Sequence, residues 1–177
     1  MTQAMTLDDY GVLTEPATLK IQRLLPGPVE RVWAYLTESD LRRQWLASGD
    51  MELKVGSTFA LTWRNDDLTD PPGRRPDGFG AEHTMQSRIT EFDPPRRLAF
   101  EWNSTGKVAF DLEPHGDEVL LTVTHERLPE RPGRVNIGAG WHSHLDQLAA
   151  RLAGKTTGPF WDGFTRLQQD YDKRLPA

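Results

Sequence analysis

Cysteine is absent from all 177 residues. That excludes disulfide bridges, thiolate catalysis and thiolate metal ligation, and it fits a reducing compartment. Long apolar runs are missing too. Nothing approaches the roughly 20 residues that a membrane-spanning helix needs, and MTQAMTLDDYGVLTEPATLK has neither a basic start nor an apolar centre. A cytoplasmic protein without a membrane span is therefore the expectation. Lysine and arginine form no stripe; they are scattered or interleaved with acids, the formal net charge is -5, and nucleic acid is argued against as a partner. Paired carboxylates, metal-ligand clusters and a phosphate loop are also lacking. The near match AARLAGKT, residues 149–156, has Ala149 where the first glycine belongs and ends a helix, where free carbonyls repel phosphate. No catalytic residue, cofactor or metal ion is assigned.

What is present is period. Residues 18–25 (TLKIQRLL) have strand character and stop at Pro26-Gly27-Pro28. Pro28 suits a helix start, and Val29, Val32, Trp33 and Leu36 follow at helical spacing. A second short helix is expected near Thr37 or Ser39, either of which could cap it, with Leu41, Trp45 and Leu46 on its apolar side and Gly49 as its stop. From there the period drops to two. Phe59, Leu61 and Trp63 alternate with polar or small residues, and further strand signals run from Glu82 to Phe92 and at Leu98, Phe100 and Trp102. Two more centre on Val108, Phe110 and Leu112, and on Val119, Leu121 and Val123. Turns at Asp93-Pro94-Pro95, Asn103 to Gly106, and Pro114 to Asp117 favour an antiparallel meander. Residues 65–81, NDDLTDPPGRRPDGFGA, combine proline, glycine and charge and are expected to be an exposed loop, either a lid or a plain insertion.

The strands are followed by GAGWHSHLDQLAARLAG. Trp141, Leu145, Leu148 and Leu152 recur at four, three and four, giving a long helix one apolar face. Strand, two short helices, about six antiparallel strands and a long helix define an α+β protein whose curved sheet is covered by that helix. The tail adds Phe160, Phe164, Leu167, Tyr171 and Leu175, the stripe of an extra helix over about 158–175. Packing on its own domain is the default for that stripe, and a homodimer is the alternative. The length suits one domain over residues 1–177.

This order, with LTESDLRRQWL, ITEFDPPRRLAFEW, VLLTVTHERLP and GAGWHSHLDQLAARLAG, resembles the activator of Hsp90 ATPase homologue 1-like (AHSA1) branch of the START/Bet v 1-like (SRPBCC) superfamily over roughly residues 17–154. The resemblance implies a helix-grip fold, a sheet of about seven strands around the long helix, with a cavity between them. It implies a noncatalytic binder of a small apolar or aromatic molecule, lipid- or polyketide-like. The alternatives are a chaperone-ATPase partner and a cyclase- or aromatase-like enzyme. It places no catalytic residue here.

Parity nominates the cavity lining: Phe59, Leu61, Trp63, Phe100, Trp102, Phe110, Leu121 and His125 from the strands, and Trp141, Leu145 and Leu148 from the helix. The same alternation would also describe a filled core. His125 continues the parity of Val119, Leu121 and Val123, so its imidazole faces inward, where it could meet a ligand or bond a backbone carbonyl. His83 is a weaker candidate, its strand parity being ambiguous. His142 and His144 lie two apart on a helix, about 200° around, so they cannot close on one ion. Both flank the apolar stripe, from where either could reach the cavity rim; a solvated or helix-flank role is expected for both, and solvated sheet positions for Arg88 and Glu101.

Overall fold

Alternating side chains give each strand one apolar face, and seven such strands pair into one antiparallel sheet. They are β1 (Val12–Glu15), β2 (Thr18–Pro26), β3 (Thr58–Trp63), β4 (His83–Asp93), β5 (Arg97–Trp102), β6 (Gly106–His115) and β7 (Glu118–Glu126), in the order β1-β2-β7-β6-β5-β4-β3. The computed structural model describes residues 8–103 and 106–176. Residues 1–7 of the N-terminal segment, Ser104 and Thr105 of the expected Asn103–Gly106 turn, and Ala177 lie outside them. β1 has no counterpart among the strands read from sequence; it is short, largely exposed and held by pairing with β2. The expected turn at Pro114–Asp117 is tighter than its composition suggests. β6 and β7 stay paired to His115 and Glu118, leaving Gly116 and Asp117 as a two-residue turn, with Gly116 at a φ of 60°.

The helical connection after β2 departs from the sequence reading. α1 (Val29–Thr37) follows Pro28 as expected, but α2 is a single turn, Ser39–Arg42, not a helix running to Gly49. Its N-cap is Glu38, and neither Thr37 nor Ser39 caps it; the Ser39 hydroxyl instead accepts the Gly49 N–H at 2.9 Å. The cause is Arg42. Its buried guanidinium donates to the carbonyls of Leu36 (3.2 Å), Thr37 (3.3 Å), Ala47 (3.1 Å) and Gly49, folding the chain back around it. Burial lowers the Arg42 pKa to about 10, which leaves it cationic at neutral pH. Gly49 has a φ of 140°, and a Cβ there would fall 1.7 Å from the Ala60 carbonyl oxygen, so only glycine fits. Trp45 and Leu46 are buried, as an apolar side requires, without being helical.

α3 spans Arg131–Ala153, one and a half turns or more longer than the GAGWHSHLDQLAARLAG segment. Pro132 sits in its first turn, where a missing N–H costs nothing, so RPG begins a helix although it reads as a loop. At the other end Gly154 adopts a φ of 68° and closes the helix with Lys155 N–H bonded to the Ala150 carbonyl, which places AARLAGKT at a helix C-terminus. One side of α3 meets the sheet through Trp141, Leu145, Leu148 and Leu152. On the other, Val135 and Ala139 join Phe160, Phe164, Leu167 and Tyr171 of the last helix, α4 (Phe160–Arg174), and Leu175 just after it, in a second apolar cluster. The stripe on α4 is thus covered within its own chain.

Residues 65–81 are not the plain solvated loop that their composition suggests. A 3₁₀ turn forms at Asn65–Asp67, Leu68 is buried in the second cluster, and the segment is tied to the start of α4. Trp161 Nε1–H donates to Asp66 Oδ1 at 2.6 Å, Trp161 N–H to the Pro72 carbonyl at 2.9 Å, and Phe160 N–H to Thr69 Oγ1 at 2.9 Å.

Gly138 sets how closely α4 can approach. An added Cβ would lie 2.9 Å from the Tyr171 ring. Gly138→Ala is therefore expected to destabilise the fold by about 1–3 kcal/mol, read as a lower denaturant midpoint; an unchanged midpoint would show that the ring can yield.

Candidate functional site

The sheet and α3 pack tightly along most of their contact, and the space that remains lies at one end. Here β3 ends, β4 begins, β5 ends, and the first half of α3 passes the start of α4. A cavity of about 410 Å³ occupies this junction. The strands contribute Trp63, His83, Met85 and Trp102; α3 contributes Ile137, Gly140, Trp141 and His144; α4 contributes Phe160, Trp161 and Phe164. Phe79 closes a further side, its ring 5.7 Å from Trp161 and 5.3 Å from Phe164. Exposed Gly78, Gly80, Glu82 and His83 mark the solvent side. Four of the chain's six tryptophans meet this space.

Of the lining residues nominated by parity, Trp63, Trp102 and Trp141 are brought together at the cavity, with Trp102 centred 5.4 Å from Trp63 and 5.5 Å from Trp141. Phe59, Leu61, Phe100, Phe110, Leu121, Leu145 and Leu148 are buried in the main core and do not line it. They support the wall from behind: Phe110 lies 5.8 Å from Trp141, and Phe100 5.5 Å from Phe110. Parity tells which face of a strand is inward, but a filled core and a cavity share that face.

His125 also lies behind the wall. Its Nδ1 accepts the Trp141 indole N–H at 3.0 Å, a side-chain partner where a backbone carbonyl was the structural expectation, and its ring sits 4.9 Å from Trp102. Accepting at Nδ1 requires the lone pair there, and burial lowers its pKa to about 4. His125 thereby fixes the Trp141 ring that faces the cavity.

Of the solvated or helix-flank role expected for His142 and His144, the solvated part is corrected: they are 5% and 6% exposed, and His144 lines the cavity. α3 is covered on both sides, so residues that flank its first apolar stripe meet the second layer. The two imidazoles do diverge. His142 Nδ1 lies 2.9 Å from the Tyr171 hydroxyl, which also accepts the Gly11 N–H at 2.7 Å, and His142 Nε2 lies 3.6 Å from Asp146 Oδ2. His144 Nδ1 lies 2.8 Å from the Trp45 carbonyl, and its ring packs 5.1 Å from Phe160. Because a carbonyl only accepts, Nδ1 of His144 carries the proton. Burial lowers the pKa of His142 and takes that of His144 to about 4. Arg88 and Glu101 are partnered on the outer surface, 3.2 Å apart. Arg23, a cation on the inward face of β2, was not anticipated; it is buried and reaches Asp146 of α3 at 3.2 Å.

The aromatic wall from residues 79 and 160–164 was not foreseen. A stripe at 160, 164 and 167 is visible in sequence, but its meeting with the end of the sheet is a tertiary event. Among the described residues, no group of three or more histidine, aspartate and glutamate side chains is arranged to hold a metal ion, and no helix is long and apolar enough to cross a membrane.

A curved antiparallel sheet gripping one long helix is the Bet v 1-like, helix-grip architecture. The profile of the family described as "Activator of Hsp90 ATPase homolog 1-like protein" matches residues 26–153. The chain belongs to that family. The solution structure of the protein encoded by gene BPP1335 of Bordetella parapertussis is similar at 34% identity and a TM-score of 0.78, covering 100% of this chain and 97% of that one. CalU16 from Micromonospora echinospora shares the fold at 22% identity and a TM-score of 0.64, over 88% and 86% of the two chains. DynU16, of the dynemicin biosynthetic locus, does so at 22% and 0.62, over 82% of this chain and 49% of that one. No curated protein matches the chain. The fold is consistent with a ligand-binding domain.

The neutral histidines make stability depend on pH. Their folded pKa values lie below the ordinary value of about 6.5, so the unfolded chain takes up protons that the folded one refuses. The stabilisation is complete above about pH 6.5 and is lost as pH falls toward 4, where His125 and His144 each withdraw about 1.4 kcal/mol per pH unit. Denaturant midpoints at pH 7, 6 and 5 should fall progressively. Replacing His125 with phenylalanine should flatten that slope, and an unchanged slope would contradict the assignment.

Proposed function

We propose that this chain binds a small, largely aromatic or apolar molecule in the cavity between the open end of the sheet, the first half of α3 and the start of α4. The observation that carries this reading is the cavity wall itself: Trp63, Trp102, Trp141 and Trp161 around about 410 Å³, with Phe79 at the side. That volume falls within the range of small-molecule sites, and aromatic walls with a few polar groups recognise shape and apolar area. The relation to CalU16 and DynU16 is one of fold and assigns no ligand. A noncatalytic role follows the same reading, because His125, the acid or base that an enzymatic reading would use, is engaged by Trp141 behind the wall.

Native mass spectrometry of the purified protein, followed by organic extraction, tests this without assuming a ligand. A stoichiometric apolar passenger is the expected result. Phe79→Ala should reduce its occupancy several-fold with little loss of stability, since Phe79 is only half-buried and lies on a loop. A bare mass, together with no saturable change in tryptophan fluorescence across a panel of aromatic compounds, would overturn the reading and make a chaperone partner the next candidate.

A further inference from the structure

Resting on the ligand-binding reading, we propose that the cavity selects aromatic molecules that donate a hydrogen bond, phenols and aryl amines, and that His144 makes the selection.

His144 lines the cavity from α3, and its two nitrogens are distinguishable. Nδ1–H is committed to the Trp45 carbonyl at 2.8 Å. The two nitrogens of an imidazole point in divergent directions, so Nε2 is turned away from Trp45. Burial holds the ring neutral down to about pH 4, which leaves Nε2 with its lone pair. At neutral pH it can only accept. Phe160, 5.1 Å from the imidazole, and Trp141 supply aromatic surface beside it. A phenolic O–H or an aryl N–H can therefore donate to Nε2 while its ring lies against these walls.

The formal charge of the wall has the same sense. Asn65, Asn103 and Asn136 also line the cavity, with amides that can donate or accept. Glu82 is the only formally charged side chain among the described lining residues, and it is a carboxylate, 2.8 Å from Arg64. A carboxylate or phosphate ligand would meet that carboxylate with no lysine or arginine side chain among the described lining residues to balance it. Fatty acids and phosphorylated compounds are thus disfavoured against neutral donors of the same apolar area.

The test uses the whole chain and three probes of one shape: 2-naphthol, naphthalene and 2-naphthoate, titrated by calorimetry at pH 7. The expected order is 2-naphthol tighter than naphthalene by roughly five- to tenfold, the scale of one hydrogen bond, with 2-naphthoate weakest. His144→Asn is the discriminating variant, because its amide N–H can still reach the Trp45 carbonyl while nothing accepts at the Nε2 position. In that variant the preference for 2-naphthol over naphthalene should vanish. Equal affinities for 2-naphthol and naphthalene in the natural chain would overturn the proposal and leave the cavity reading standing. So would a preference that survives in His144→Asn. Failure of all three probes to bind would instead strike the cavity reading beneath it.

Discussion

Everything in this fold depends on one helix being covered from two sides. α3 lies against the sheet through Trp141, Leu145, Leu148 and Leu152, and against α4 through Val135 and Ala139. The polar residues of α3 that this cover buries cannot turn to solvent, and an unsatisfied buried polar group costs about 1–3 kcal/mol. Each therefore has an assigned partner: His142 the Tyr171 hydroxyl, Ser143 the Ala139 carbonyl, His144 the Trp45 carbonyl, and Gln147 Nε2 the Thr157 hydroxyl at 2.6 Å. Those partners come from α4, from α3 itself, from the segment after α2 and from the segment before α4. Satisfying one helix thus places four parts of the chain.

The cavity follows from the same arrangement. Where sheet and helix are in register, leucine, valine and phenylalanine close the space, and residues such as Leu145 and Leu148 are fully buried. At the end where β3 and β5 stop, the first half of α3 faces a gap that is walled also by residues from 65–81 and the start of α4. Hydrogen bonds from Trp161 to Asp66 and Pro72 hold these two pieces together. The loop is thereby part of the wall, in spite of a composition that would suit a solvated connection.

Particular residues show where sequence reading reaches and where it stops. Phe59, Leu61 and Trp63 alternate cleanly because each strand buries one face, and this period survives whatever packs above it. Arg131 to Ile137 defeated the same logic. Proline and glycine mark loops locally, but a proline in the first turn of a helix loses no hydrogen bond, so α3 begins there. His142 and His144 read as flank residues because a single apolar stripe implies one buried side; the second cover, α4, is separated from them by a turn and many residues. Arg42 is the sharpest case. A charge in a short amphipathic segment reads as surface, yet four backbone carbonyls from two stretches of chain make it the centre of the connection.

By itself the sequence determined the number and kind of most elements, the inward parity of the strands and the apolar stripes on both C-terminal helices, because these depend on residues only a few positions apart. The family relationship was visible at the same level, in motifs that keep their order. Only the tertiary structure decided which inward residues face a cavity and which fill the core, where the histidine protons reside, and that Phe79 and Trp161 share a wall with Trp63 and Trp141. Those outcomes depend on where distant segments meet, and on partners such as the Trp45 carbonyl that no local pattern encodes.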